Sequence, residues 1–402
     1  MGSAPSVIAP IRLLTFSTLF PNETRPNHGV FVENRLRHLV ASGAAASTVV
    51  APVPWFPSTA RWFGDWARHA RVPRQEQRHG LTVLHPRYPV VPRIGMSVAP
   101  WLLFRAMLPQ LRRLHAANSF DAIDAHYLYP DGVAAVWLGQ RLDLPVVVTA
   151  RGTDVTLIPR YTVPRRLIQG AIRHAAAFIT VSAALKQALV ELGAPDAKVT
   201  VLRNGVDTVL FHPPADRDVA RRALGLQGPT LISVGLLIER KGHHRIIEAM
   251  PQLPGYELLI VGEGPEHARL GALIERHGLS DRVRLLGVRP HSALPSLYGA
   301  ADALVLASSR EGWANVLLES MACGTPVVAS KIPGNPEVVR DPAAGLIMQT
   351  NTPDGIAAGV RQLFSALPAR RATRAYAEQF GWDATTQGQI ALFRRITAAS
   401  RP

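Results

Sequence analysis

Cysteine is almost absent from this chain. One residue, Cys323, among 402 excludes a disulfide framework and a cysteine-based metal site. Long apolar runs are missing as well: none reaches the roughly 18–20 residues that a membrane span needs. The N-terminus has no charged-then-apolar leader pattern, and 11–17 reads better as a first strand. Met1-Gly2 with Ser6 fits the myristoylation pattern only formally, so the expected location is the cytoplasm. There is no short-period repeat or low-complexity tract, which excludes an array. Acidic residues are scarce: 29 Asp and Glu stand against 44 Lys and Arg, a net charge of +15. What is present is 47% hydrophobic, which excludes a disordered chain and gives two or three domains with large cores.

The basic excess demands an anionic partner: nucleic acid, a membrane surface or a phosphorylated substrate. It is uneven. Residues 1–210 carry 23 basic and 12 acidic side chains, whereas 211–402 carry 21 and 17. Between 52 and 113, Trp55, Trp62, Phe63, Trp66, Trp101 and Phe104 alternate with Arg61, Arg68, Arg71, Arg74, Arg78, Arg87, Arg93, Arg105, Arg112 and Arg113. Rings at headgroup level with arginines on phosphates suit an anionic bilayer. A loop whose aromatics pack on their own domain is the plainer alternative. No nucleic-acid recognition module is present, so nucleic acid is not an expected partner.

Apolar β-branched runs at 11–17, 47–51, 81–84, 121–125, 145–149, 177–181 and 199–202 alternate with helical stretches at 31–42, 101–117, 131–141, 165–175 and 183–192. Asn204-Gly205-Val206-Asp207 and Phe211-His212-Pro213-Pro214 interrupt this as turn and connector. The alternation restarts with strands at 230–234, 256–261, 282–286, 303–306 and 326–329 and helices at 242–250, 265–277, 292–299 and 314–323. The expected fold is α/β: two doubly wound, Rossmann-like domains, 1–208 and 209–383, with a terminal helix in 384–402 crossing back to the first. In such sheets ligands bind beyond the carboxyl ends of the strands, which makes a cleft between the domains the expected site.

The chemistry-bearing residues fall at those strand ends. Gly235 follows strand 230–234, and Arg240-Lys241-Gly242 opens the next helix, where adjacent cations suit a diphosphate. After strand 303–306 comes Glu311-Gly312-Trp313-Ala314-Asn315-Val316, then Glu319 about one turn into a helix. Two carboxylates so placed can grip hydroxyls on either side of a phosphate. Helix-start and surface roles for the two glutamates are the competing reading. In the first half, Gly29 follows the first strand, His126 ends the strand at 121–125, and Arg151-Gly152-Thr153-Asp154 follows the strand at 145–149.

Segment 308–329 resembles the signature of family 4, GT-B-fold retaining glycosyltransferases, in which seven residues separate two glutamates, here Glu311 and Glu319. Four further matches fall in order: 201–207, Gly235 with Arg240-Lys241-Gly242, 261–265, and Ile332-Pro333-Gly334-Asn335-Pro336-Glu337. The resemblance covers most of the chain. It implies that Arg240 and Lys241 neutralise the diphosphate of a nucleotide-sugar donor, that Glu319 binds the ribose and that Glu311 binds the transferred sugar. Gly29, Gly235, Val288, Gly312, Trp313, Ala314, Asn315 and Val316 would complete the donor site. His126 would act beside the transferred sugar, with Arg151 and Asp154 on the acceptor side. Many relatives carry His where Arg151 stands, and Gly-Phe-Gly where this chain has Gly312-Trp313-Ala314. The implied acceptor is a saccharide, lipid-linked, in cell-surface polysaccharide assembly at the inner face of the membrane. A GT-B-fold sugar-nucleotide epimerase and a non-catalytic nucleotide-sugar binder remain as alternatives.

No metal and no cofactor are expected. A metal-bridging transferase needs Asp-x-Asp after an apolar strand, and Asp216-Arg217-Asp218 instead follows two prolines at a helix start, where acids serve as caps.

Overall fold

The computed structural model describes residues 9–91 and 95–399. Met1-Gly2 with Ser6, Arg93 and the last three residues of 384–402 lie outside the described residues. The chain forms two compact units, Met1–Arg203 with Asp383–Pro402, and Asn204–Trp382. The divisions fall at 203/204 and 382/383, against the 208/209 and 383/384 read from the connectors.

The first unit is built on β1 (Ile11–Phe16), β2 (Ala45–Val50), β3 (Gln75–Arg78), β4 (Leu81–Leu84), β5 (Ala122–His126), β6 (Val146–Ala150), β7 (Ala177–Thr180) and β8 (Val199–Val201). Their order across the sheet is β8-β7-β6-β5-β1-β2-β4-β3. All described pairings in it are parallel except β3 with β4. The parallel central strands are buried on both faces, which is why they read as unbroken apolar runs such as Val146–Ala150. The antiparallel β3 escaped the sequence reading because Gln75–Arg78 is wholly polar and lies at the sheet edge. Helix Gly95–Asn118 begins six residues before the expected 101 and tolerates Pro100 and Pro109 within it. Leu103, Met107 and Leu111 recur at four-residue spacing on its buried stripe. Helix Asp383–Ala399 returns to this unit, burying Ile390, Leu392, Phe393 and Ile396 against Leu13, Leu39 and Val147. Fully burying each such side chain stabilises by about 1.5–3 kcal/mol.

The second unit repeats the plan with β9 (Thr230–Val234), β10 (Glu257–Val261), β11 (Val283–Leu285), β12 (Ala303–Leu306), β13 (Val327–Ala329) and β14 (Gly345–Ile347). Their order is β11-β10-β9-β12-β13-β14, all parallel. Leu231, Leu258, Ile260, Ala303 and Val305 from these strands pack with Ile246, Ile247 and Ile356 in one core. Between 330 and 382, where no elements were expected, lie β14 and helices Asn335–Val338, Pro353–Ser365 and Arg370–Glu378. Asp216 caps helix Arg217–Ala223 by accepting from the Val219 amide at 3.0 Å, so this acid has the capping role read from its place after the prolines.

Each sheet has one point where the chain order reverses: between β1 and β5 in the first unit, and between β9 and β12 in the second. The carboxyl ends of those strands are where crossovers diverge to opposite faces and leave a crevice.

Candidate active site

At the reversal in the second unit, the chain leaves β9 through Gly235 and makes a short 3-10 turn, Glu239–Lys241, before helix His243–Ala249. Gly242 joins them at φ 73°, and a Cβ there would lie 2.1 Å from the Ala307 carbonyl oxygen. Only glycine lets this turn close against the end of β12. The Ser309 amide donates to the Arg240 carbonyl at 2.8 Å and ties the two loops together. Lys241 lies along Gly235, where a Cβ would meet its methylenes at 3.4 Å.

This closeness brings the expected cations to the first expected glutamate. Lys241 Nζ donates to Glu311 Oε1 at 2.7 Å, and Arg240 Nη1 lies 3.5 Å from Oε2 while donating to the Arg310 carbonyl at 2.7 Å. Burial opposes ionisation of Glu311, but Lys241 and then Arg240 outweigh it and hold the carboxyl below the usual range. Beneath them His243 accepts or donates at 3.0 Å to Ser233 Oγ, its pKa lowered to about 4 by burial and by Lys241.

Glu319 is held by two residues that the sequence reading missed. The Tyr298 hydroxyl donates to Oε2 at 2.9 Å, and His291 Nε2 lies 3.6 Å from Oε1. Burial alone would lower the His291 pKa; Glu319 reverses this and raises it. Phe211 meets the His291 ring edge-on at 5.0 Å and sits 6.1 Å from Tyr298. The one signal in the sequence was a lone tyrosine amid the small and apolar residues 294–301, a polar tip that needs a partner when buried.

The remaining residues of the expected donor site split. Gly312 and Ala314 are buried, and Ala314 directly precedes helix Asn315–Ala322, which has Val316 in its first turn. Asn315 Oδ1 accepts from Asn204 Nδ2 at 3.2 Å, which ties the helix start to the residue opening this unit. Val288 is half exposed, one residue after Gly287, whose carbonyl accepts from the Gly262 amide at 3.0 Å beyond β10. Trp313, expected in the donor site, is buried, with its ring centroid 6.4 Å from that of Phe380.

In the first unit, β5 and β6 place His126 opposite Thr149 in register. Its Nε2 donates to Asp124 Oδ2 at 3.1 Å, and its Nδ1 accepts from Arg151 Nη2 at 2.8 Å, which fixes one neutral tautomer. Burial is the main cause of the lowered His126 pKa, with Asp124 opposing it. The Arg151 guanidinium lies 5.0 Å from the Phe31 ring centroid, and burial lowers its pKa to about 9. Gly29, at φ 75°, leaves no room for a Cβ, which would fall 2.4 Å from the Leu19 carbonyl oxygen. Asp154 departs from its expected place on the acceptor side. It is fully buried and accepts from the amides of Leu128 at 2.7 Å, Gly152 at 2.6 Å and Arg151 at 3.1 Å, so it shapes the loop instead of lining a surface. Asp131, also unforeseen, clamps the loop after β1 through the Thr18 amide at 2.6 Å and hydroxyl at 2.9 Å. Tyr127, directly after His126, takes φ 80°, strained for a residue with a side chain, and its hydroxyl meets Thr153 Oγ1 at 2.6 Å. Among the described residues, no group of three or more His, Cys, Asp or Glu side chains is arranged to hold a metal ion.

Two family models match: Glycosyltransferase Family 4 over 29–210 and Glycosyl transferases group 1 over 216–380. A D-inositol 3-phosphate glycosyltransferase of Acidothermus cellulolyticus is 33% identical over 327 residues, 74% of this chain and 72% of its own length. This chain belongs to glycosyltransferase family 4. It is a glycosyltransferase of GT-B fold. A second relative of the same name, from Segniliparus rotundus, is 35% identical, but the match covers 49% of this chain and 47% of that protein. Among solved structures, sucrose-phosphate synthase from Thermosynechococcus elongatus superposes with a TM-score of 0.78 at 21% identity, over 97% of this chain and 100% of that one. Anabaena HepE in complex with UDP-glucose gives 0.71 at 21% identity, over 94% and 98%. These two likenesses speak for the fold alone. No helix among the described residues of this glycosyltransferase is long and apolar enough to cross a membrane.

Proposed function

We propose that this glycosyltransferase moves a sugar, with retention of anomeric configuration, from a nucleoside-diphosphate donor to a lipid-linked saccharide in cell-surface polysaccharide assembly. The observation that carries the donor half is the cluster of Lys241, Arg240 and Glu311 at the second sheet's reversal, one helix start away from the buttressed Glu319. Arg240 and Lys241 neutralise the diphosphate and stabilise it as it leaves. Glu311 accepts hydrogen bonds from the transferred sugar, and Glu319, held by Tyr298 and His291, accepts from the ribose. That three structures of HepE hold UDP, UDP and glucose, and UDP-glucose favours a uridine donor as the first to test. The acceptor hydroxyl attacks from the face that the diphosphate leaves, with catalysis supplied by positioning and charge. On this reading the two cations neutralise the diphosphate and no divalent metal is needed. His126, with both ring nitrogens engaged by Asp124 and Arg151, orients the Arg151 guanidinium beside the acceptor.

The acceptor half is carried by exposed aromatics among cations. Trp62 is 84% and Trp55 57% exposed, while Phe56 packs on Phe63 and Trp66 at 5.2 and 5.7 Å to form a knot that projects them. Such a surface suits peripheral binding at the inner face of the cytoplasmic membrane.

Calorimetric titration with a panel of nucleotide sugars tests the donor reading, followed by proton NMR of the product with a membrane lipid extract as acceptor. The expected outcome is binding of one donor and a product of retained configuration, formed equally in the presence of a chelator. An epimerised sugar from donor alone would replace this reading with an epimerase, and an inverted product would overturn retention.

A further inference from the structure

The first unit contains a cavity of about 220 Å³ that belongs to neither cluster described above. Its walls are almost wholly apolar: Val90, Val91, Met96, Ala99, Leu102 and Ile158 close it from the sides. Its remaining boundary includes Tyr127, Tyr129 and Pro130, the residues that immediately follow His126. The Tyr129 hydroxyl donates to the Met96 carbonyl and joins this boundary to helix Gly95–Asn118. Tyr127, whose strained backbone turns the chain at this point, lies between the cavity and the end of β5.

The surroundings supply charge of one sign. Ile158 stands in the turn Ile158–Arg160; Arg160 at its end and Arg165 and Arg166 early in the following helix, Thr162–His174, are all exposed. No acidic residue occurs between Asp154 and Glu191. Met96, on the cavity wall, and Trp101 are both exposed on helix Gly95–Asn118, with Arg105 5.9 Å from the Trp101 ring centroid. An apolar slot bounded by the residue that follows His126, and by Ile158 at the head of a segment with exposed arginines and no acid, matches an amphiphile with an anionic head.

We propose that this cavity binds the hydrocarbon chain of the acceptor, and that the Arg160, Arg165 and Arg166 cluster meets a phosphate at the head of that chain. This rests on the lipid-linked acceptor proposed above and gives it a place in the fold. The chain's apolar carbons leave water for the cavity, so affinity rises with each methylene until the cavity is full.

Monomeric alkyl phosphates from hexyl to dodecyl, with inorganic phosphate as the headgroup alone, test this by calorimetry on the full chain. Affinity is expected to rise about fourfold per methylene and then level off. Ala99→Phe fills the slot and should abolish the dependence on length. Val90→Asp puts a charge on an exposed rim position, where folding is not at stake, and should weaken dodecyl phosphate tenfold or more. Length-independent binding in the native protein, or unchanged length dependence in both variants, would overturn the proposal. Phosphatidylglycerol vesicles separate the acceptor's own chain from bulk lipid. Ala99→Phe should bind them as the native protein does, and a parallel loss would give the cavity to the bilayer and overturn the assignment. UDP-glucose titrated into the same samples keeps the two readings apart: its failure counts against the donor, and failure of the alkyl series alone counts against the cavity.

Discussion

The second unit's reversal point keeps its charges partly accessible and pairs them with each other, Lys241 and Arg240 with Glu311, and His291 with Glu319. The first unit's reversal point buries its charges and spends them on the chain itself. Asp154 accepts from three backbone amides, Asp131 holds Thr18, and His126 is fixed between Asp124 and Arg151. The same doubly wound plan thus carries two uses of ionisable groups. Where cation and carboxylate meet at an accessible strand end, a polyanion with hydroxyls can compete for both. Where carboxylates satisfy amides, they fix loop shape, and only the groups that those loops carry are left to face a ligand.

Substitutions sharpen this contrast. The largest effect is expected at the donor cluster: Lys241→Ala and Glu319→Ala should each weaken donor binding by about 2–4 kcal/mol in calorimetric titration. Near-native transfer by both would break the assignment. Asp154→Ala should instead destabilise the first unit by about 2–3 kcal/mol in urea unfolding, because three amides lose a charged acceptor, while donor affinity stays unchanged. Tyr298→Phe removes one hydrogen bond to Glu319 and should cost about 1–2 kcal/mol of donor affinity. A change in KM without a change in kcat would mark it as a positioning residue.

Asp131 offers a pH test of the buried class. Burial raises its pKa to about 7, although bonds from Thr18 oppose this. Between about pH 4 and 7 the unfolded chain has released this proton and the folded chain retains it, so this group makes stability fall as pH rises through that window and level off above it. Asp131→Asn should flatten that slope in thermal unfolding followed from pH 5 to 8. The smallest effect on stability is expected at Trp62→Ala, within about 0.5 kcal/mol, since this ring is exposed. Its binding to anionic vesicles should nonetheless fall several-fold in cosedimentation, and unchanged binding would remove the membrane from the first unit's aromatic knot.

Much of this was legible in the sequence. Parallel strands buried on both faces are continuous apolar runs, so β5, β6, β9, β10 and β12 could be placed within a residue or two. The Arg240-Lys241-Gly242 turn and the Glu311 and Glu319 pair were recognisable because their order along the chain is itself the signature. Harder to see were elements whose pattern is polar or short, such as the edge strand Gln75–Arg78, and contacts made across long sequence distances. Tyr298 and Glu319 stand 21 residues apart, and Asp131 and Thr18 stand 113 apart.

The sequence by itself determined the fold class, the family and the residue types gathered at each strand end, because these follow from periodicity and from local order. Tertiary structure alone decided which of those residues remain accessible. Glu311 and Asp154 look alike in the sequence, each an acid just beyond a strand. Only packing set one against two cations and closed the other over backbone amides, since burial and hydrogen-bond partners are properties of neighbours that the linear chain does not place side by side.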